Sequence, residues 1–137
     1  MSLNGRVAAI TGASAGIGLA CAQHLAHEGV AIVLGARRLP LLESAARTIV
    51  ERGGRAAIVC MDVTREEDVH ALTATATREF GRLDVMICNA GFGYYGPADE
   101  TPGDVMRRMM DVNYMGTFYG ARGNGYMTLE PYFVEQF

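Results

Sequence analysis

The sequence predicts an α/β fold built on a doubly wound parallel sheet of about four strands. Short runs rich in β-branched residues alternate along the chain with longer segments of helical period, which is typical of βαβ units. Each run is nearly continuous in apolar residues, as expected for strands covered by helices on both faces. The 137 residues suit one compact domain, and no repeat or charged linker divides them.

The predicted elements follow one another in a regular order. Strands are expected at residues 7–11, 30–34, 56–61 and 83–88, and helices between them at residues 16–28, 39–52 and 65–80. Gly29, Gly53 and Gly81 come directly after these helices, where a C-cap favours a left-handed residue. Thr64 and Glu67 have the spacing of a capping box, which would start the third helix.

A fourth helix is expected from Thr101 to about residue 122. Thr101 suits the N-cap, Pro102 the first helical position and Asp104 the first turn. We therefore expect a domain at residues 1–122. Three residues that break helices follow, so residues 123–137 are predicted to form an irregular tail or a short appended strand.

Charge and composition favour small molecules and other proteins as partners. The net charge is −3 with no run of like charges, which argues against nucleic acid and anionic membranes as partners. No window approaches the ~20 apolar residues of a membrane span, and the first residues do not resemble a secretory leader. The expected location is therefore cytoplasmic.

A glycine-rich turn lies between the first strand and the first helix. Gly12 would permit the tight turn, Gly16 would let backbone N–H groups approach a pyrophosphate, and Gly18 would let the helix pack closely on the sheet. The N-terminus of the helix then faces the anion. The expected contacts to a dinucleotide come from Thr11, Gly12, Ser14, Gly16, Ile17 and Gly18.

The spacing of these glycines, Gly-x-x-x-Gly-x-Gly after Thr11, resembles that of the short-chain dehydrogenase/reductase family. Further matches follow in the family's order: Asp62-Val63, Asn89-Ala90-Gly91, and Asn113 within Asp-Val-Asn. The resemblance covers residues 4–122, about the first half of a family member. It implies a Rossmann-like sheet in the order 3-2-1-4 with the C-terminal half of the family fold missing, and hydride transfer between a nicotinamide cofactor and a carbonyl or alcohol.

The end of the second strand favours NADP over NAD. NAD-binding folds place an acid about twenty residues beyond the glycines to accept from the ribose 2′-OH. Arg37 and Arg38 stand in this region instead, and guanidinium groups suit the extra phosphate of NADP. The alternative is that both arginines only cover the solvated start of the second helix.

The resemblance also implies roles for the later motifs. Asp62 would contact the adenine amino group while Val63 packs on its ring, and Asn89, Ala90 and Gly91 would let the backbone pass close to the ribose. The alternatives are ordinary turns at the strand ends.

The catalytic residues that the resemblance implies are largely absent. Such enzymes use a Tyr-x-x-x-Lys pair, a preceding Ser and a helical Asn, in which the lysine lowers the pKa of the tyrosine. Asn113 matches the Asn, but the sequence contains no lysine, and its serines, Ser2, Ser14 and Ser44, all precede the third strand. We expect this chain to be inactive alone and Asn113 to have a structural role.

Other functions compatible with the sequence remain open. A fourth strand at the sheet edge and a helix rich in Met and aromatic residues would favour self-association, so the chain could be a non-enzymatic NADP-binding or interaction module. A remote alternative is a hydrolase with Ser14 as nucleophile, because residues 12–16 also fit Gly-x-Ser-x-Gly. No metal site is expected, since His24 and His27 have no nearby third ligand.

Overall fold

A computed structural model describes residues 3–123 of the chain. The tail expected at residues 123–137 lies outside these residues except for Gly123. The strands are β1 (Val7–Thr11), β2 (Ala31–Ala36), β3 (Arg55–Cys60) and β4 (Val85–Ile87). The helices are α1 (Gly16–His27), α2 (Leu39–Glu51), α3 (Glu66–Phe80), α4 (Gly103–Met109) and α5 (Gly116–Gly123), with a 3₁₀ turn at Ala98–Glu100 and a π-helical segment at Met110–Met115.

All four strands are parallel and lie in the order β3-β2-β1-β4, which confirms the predicted sheet. In register, Ala9 of β1 lies opposite Val33 of β2 and Met86 of β4. The carboxyl ends of the strands therefore meet at one edge of the sheet, which is where ligands bind in open α/β folds.

Helices cover both faces of the sheet, as the apolar strands predict. Ala8 and Ile10 of β1 belong to a core shared with α1 and α2, while Val7 and Ala9 belong to a second core shared with α3. All four side chains are buried. Alternate residues of one strand thus enter two separate cores, which explains why the strand is apolar throughout.

The helix ends agree only in part with those predicted from the sequence. Gly29, Gly53 and Gly81 all have positive φ, near +80°, so the three predicted C-terminal glycines are confirmed. The capping box is wrong, because no side chain caps α3 and the Thr64 N–H, from which Glu67 would accept, donates to Asp62 Oδ1 at 3.0 Å. Helix α3 begins one residue later, with Arg65 at its N-cap.

The fourth helical region begins later than predicted and contains an irregularity. Thr101 is not the N-cap and Pro102 is not the first helical residue, because α4 begins at Gly103 with Pro102 at its N-cap. The Thr101 hydroxyl donates to the Pro97 carbonyl at 2.9 Å. The region continues through the π-helical segment to Gly123. Such wide turns often occur at functional sites.

No helix among residues 3–123 is long and apolar enough to cross a membrane.

Strand β4 is shorter than residues 83–88. At its start, Asp84 donates its backbone N–H to the Val7 carbonyl, and its carboxylate accepts from the Val7 N–H. At its end, the Asn89 N–H donates to the Thr11 hydroxyl and to the Ile87 carbonyl. Side-chain hydrogen bonds therefore supplement backbone bonds at both ends of the strand.

Candidate functional site

A cleft of about 600 Å³ opens at the carboxyl ends of the strands. Its walls come from the turn after each of the four strands and from the helical region that follows β4. The lining residues include many of those predicted from sequence, namely Gly12, Ser14, Arg37, Arg38, Asp62, Val63, Ala90 and Gly91. Thr11, Gly16, Ile17, Gly18, Asn89 and Asn113 are not among the lining residues, although they belong to the same turns or to the adjoining helical region.

The glycine-rich loop leaves room for a ligand above helix α1. Gly16 has φ +59°, and a Cβ atom built on it would meet nothing within 4 Å. Gly18 is different, because its Cβ would collide with the Asn89 side-chain amide and lie 2.6 Å from the Gly12 carbonyl oxygen. Ile17 is 82% exposed. The loop is thus closely packed beneath and open above, at a helix N-terminus with free backbone donors.

The loop is fastened to the turn after β4 by two side chains. The buried Thr11 hydroxyl accepts from the backbone N–H groups of Asn89 and Ala90, both at 3.0 Å. The Asn89 side-chain amide donates to the Thr11 and Gly12 carbonyls at 3.1 and 3.3 Å. Sequence reasoning missed this clamp, since it gave Thr11 only a cofactor contact and gave Asn89 a cofactor contact or an ordinary turn. The signal was the placement of both residues at the ends of strands that pair.

The two arginines after β2 differ in their contacts. Arg38 Nη2 donates to Ser14 Oγ at 3.2 Å, which joins the second turn to the glycine-rich loop. The Arg37 side chain lines the cleft and makes no ion pair with any other residue between 3 and 123. The Cys60 thiol donates to the Arg37 carbonyl at 3.5 Å, so the β3 end supports this turn. Arg37 is available to an anionic ligand.

Asp62 is an ionised group at the floor of the cleft. The backbone N–H and hydroxyl of Thr64 both donate to Asp62 Oδ1, at 3.0 and 2.8 Å. The Thr64 N–H is the main cause that lowers the pKa of Asp62, and the charges of Arg37 and Arg108 add to it. Asp62 therefore takes part in a turn at the end of β3, which was the alternative role predicted for it. It also lines the cleft.

Asn113 lies in the π-helical segment and holds the loop after β4. Its side-chain oxygen accepts from the Phe92 N–H at 3.0 Å, and its Nδ2 donates to the Phe92 carbonyl at 2.9 Å. A Cβ on Gly91 would lie 3.2 Å from the same side-chain oxygen. Asn113 therefore fixes the backbone of one cleft wall.

The sequence did not predict that the helical region would contribute Arg108, Asp111 and Val112 to the cleft. The Arg108 guanidinium carbon lies 5.6 Å from the centre of the Phe92 ring. These three residues share one helix face because they are spaced by three and four positions. That spacing was visible in the sequence, but nothing there indicated which face would meet the cleft.

The hydrolase alternative gains no support from the geometry. No histidine lines the cleft in the described part of the chain, so Ser14 has no base beside it, and its hydroxyl accepts from Arg38. His24 and His27 were predicted not to form a metal site, because no third ligand lies near them in the sequence. Within residues 3–123 no three candidate ligands come together to hold a metal ion.

Comparisons with known proteins agree on one family. A family model described as short chain dehydrogenase matches residues 6–126. The uncharacterized oxidoreductase YxnA of Bacillus subtilis strain 168 is 39% identical over 120 residues, which cover 88% of this chain and 34% of that protein.

Solved structures extend the similarity to the fold. L-Sorbose reductase from Gluconobacter frateurii, complexed with NADPH and L-sorbose, has a TM-score of 0.85 and 37% identity, over 91% of this chain and 49% of that one. An NAD⁺-bound xylitol dehydrogenase has a TM-score of 0.85 and 36% identity, over 90% of this chain and 48% of that one. The chain therefore spans about half the length of these structures.

Proposed function

Because this chain belongs to the short-chain dehydrogenase family, we propose that residues 3–123 form the cofactor-binding part of an NADP-dependent oxidoreductase. The reaction is hydride transfer between the nicotinamide and a carbonyl or alcohol. The observation that carries the proposal is the cleft itself, in which the glycine-rich loop, the arginines after β2 and the turn after β4 meet. A dinucleotide has an anionic centre and an adenosine end that match these parts.

In this proposal the pyrophosphate lies over the glycine-rich loop, at the N-terminus of α1. Gly12, Gly16 and Gly18 keep the backbone compact, while Ser14 borders the cleft and Ile17 is exposed beside it. Thr11 acts from beneath through its bonds to the turn after β4. The positive end of the helix dipole and the loop N–H groups would hold the phosphates.

The adenosine end lies toward β2 and β3. Asp62 and Val63 would receive the adenine, and Asn89, Ala90 and Gly91 would pass close to a ribose. Arg37 and Arg38 would hold the 2′-phosphate that distinguishes NADP from NAD. Solved relatives include one bound to NADPH and one bound to NAD⁺, so the preference for NADP depends on these two side chains.

We also propose that the 137-residue chain binds the cofactor without completing a turnover. Its sequence contains no lysine and no Tyr-x-x-x-Lys, and all three serines precede β3. Proton delivery to a carbonyl oxygen needs a donor of suitable pKa within hydrogen-bond reach, and a hydride transfer without one is slow. Asn113 would serve the site by holding Phe92.

A second candidate is a non-enzymatic NADP-binding or interaction module located in the cytoplasm. Exposed apolar side chains favour it, since Met106, Met110 and Tyr114 lie on one helix face and are each about half-exposed or more. Soluble, stable assemblies that bind cofactor without turnover would support this module. Turnover of an aldehyde or ketone would contradict both this module and the proposed lack of turnover.

The first test is calorimetric titration with NADPH and NADH, followed by an assay with an aldehyde or ketone. Arg37→Ala should weaken NADPH binding about tenfold or more, because a charge-assisted bond to phosphate is lost, and should leave NADH binding nearly unchanged. Arg47→Ala is the matched control, since Arg47 is exposed on α2 away from the cleft. Equal loss for both cofactors would contradict the assignment of Arg37.

A further inference from the structure

Arg108 lines the cleft from the helical region after β4, whereas Arg37 and Arg38 line it from the turn after β2. It lies on α4, one helical turn before Val112, and both line the cleft. Arg108 forms no ion pair with any described residue. An exposed guanidinium that borders a ligand-sized cleft without a carboxylate partner is available to a ligand.

The guanidinium is held beside an aromatic ring whose backbone is fixed. Arg108 Cζ lies 5.6 Å from the Phe92 ring centre, within the range of a cation–π contact. The Phe92 backbone forms two hydrogen bonds with Asn113, at 3.0 and 2.9 Å. Because Phe92 is anchored, Arg108 has a fixed surface against which to rest. A guanidinium is planar and weakly hydrated, so it stacks on flat rings in a way that an ammonium does not.

Arg108 lines the same cleft as Asp62 and Val63, the residues assigned to the adenine. Its charge, together with that of Arg37, helps to lower the pKa of the Asp62 carboxyl. Arg37 and Arg38 approach from the end of β2, where the 2′-phosphate is assigned. Arg108 approaches from the helical region, on the side of the Phe92 ring.

We propose that Arg108 stacks its guanidinium on the adenine ring of the bound dinucleotide and binds it whether or not a 2′-phosphate is present. This rests on the proposed function, because it takes Asp62 and Val63 as the adenine end. Arg108 is then a binding residue for adenine, whereas Arg37 discriminates between the two cofactors. The two arginines should therefore give different patterns when each is replaced.

The experiment is calorimetric titration of the full chain with NADPH and with NADH, for the wild type, Arg108→Gln, Arg108→Lys and Arg107→Gln. Arg108→Gln should weaken binding of both cofactors by the same factor, about threefold to tenfold, as for loss of one cation–π stack. Arg108→Lys should not restore binding, because the planar group is still absent. Arg107→Gln is the matched control, since Arg107 is an exposed neighbour that does not line the cleft.

Four results would overturn the stacking role. Wild-type affinity in Arg108→Gln would remove Arg108 from the site while leaving the proposed function intact. Loss for NADPH alone would show that Arg108 binds the 2′-phosphate, and recovery in Arg108→Lys would show that its charge and not its planar group is required. A folded wild-type chain that binds neither cofactor would end the proposed function itself, and the adenine contact with it. Urea unfolding of each variant checks that the substitution leaves the fold unchanged.

Discussion

Thr11 has a structural use that its place in the glycine motif does not reveal. Its hydroxyl is buried, with the residue 2% exposed, and accepts from two backbone N–H groups in the turn after β4. Those donors belong to Asn89 and Ala90, far away along the chain but next to Thr11 across the sheet. Buried N–H groups without an acceptor are costly, so this one oxygen stabilises two strand ends.

Thr11→Val should therefore reduce both stability and cofactor affinity. Valine has nearly the same shape but leaves the Ala90 N–H without its acceptor, and the Asn89 N–H with the Ile87 carbonyl alone, which should cost about 1–3 kcal/mol of unfolding free energy. The loop and the turn after β4 would then separate, and NADPH binding should weaken. Urea unfolding and calorimetric titration would measure the two effects.

Thr48→Val is the matched control for this substitution. The Thr48 hydroxyl donates to the Ser44 carbonyl within the exposed part of α2, where water can replace the bond. We expect a change of about 0.5 kcal/mol or less, as for an ordinary surface site. Equal destabilisation by Thr11→Val and Thr48→Val would mean that the clamp has no special importance.

At the scale of elements, the sequence predicted what burial controls and missed what local polar bonds control. Strand β1 is apolar at every position because both faces are covered, and its predicted bounds match the structure. The predicted start of α3 was wrong because the Asp62 carboxylate accepts from both the backbone N–H and the hydroxyl of Thr64, and no side chain caps the helix. A residue pattern does not resolve this kind of local side-chain competition.

Strands β1 and β4 are joined at their first residues by Asp84. The side chain, 10% exposed, accepts from the Val7 N–H at 2.9 Å and from Arg6 at 2.9 Å, and also pairs with Arg82. Burial alone would raise the pKa of Asp84, but these bonds outweigh it and lower the pKa to about 2. The carboxylate is therefore stabilised in the folded state relative to the unfolded chain.

The stability of the sheet should consequently depend on pH in the acid range. Because the folded pKa lies below the ordinary value of 3.8, Asp84 contributes its full stabilisation above about pH 4 and loses it as the pH falls to about 2. Asp84→Asn should lower the unfolding free energy near pH 7 by on the order of 1–3 kcal/mol. The gap between wild type and variant should close toward pH 2, as followed by urea unfolding at several pH values.

Asp99→Asn provides the comparison for Asp84→Asn. Asp99 lies in the exposed 3₁₀ turn and forms no ion pair with another residue between 3 and 123. Its replacement should leave the curve of stability against pH unchanged. A constant gap between wild type and Asp84→Asn from pH 7 down to pH 2 would contradict the role of the Asp84 charge.

For the whole molecule, topology explains both the success and the limit of sequence reasoning about the site. The motifs after β1, β2, β3 and β4 were each recognisable, and parallel strands bring their ends together at one edge. The contribution of Arg108 depends on how a helical region with a π-helical segment rotates against that edge. Local sequence does not determine such a rotation, because packing against distant residues sets it.

The same topology leaves apolar surface at one side of the molecule. Strand β4 pairs with β1 and has no strand on its other side within residues 3–123, and Val85 is 38% exposed. On the helical region that follows, Met106, Met110 and Tyr114 are spaced by four residues and form one exposed stripe. Exposed strand edges and apolar stripes favour association with another chain.

We therefore expect this chain to self-associate in a way that depends on the stripe. Met110→Lys should raise the dissociation constant about tenfold or more, because a buried ammonium at the contact would be desolvated without a partner. Sedimentation velocity over a range of concentrations measures the change. Ala71→Lys adds the same charge at an exposed position on α3 and should leave association unchanged. A wild-type chain that stays monomeric at every concentration would contradict self-association. An equal effect of both lysines would mean that the contact does not depend on the stripe.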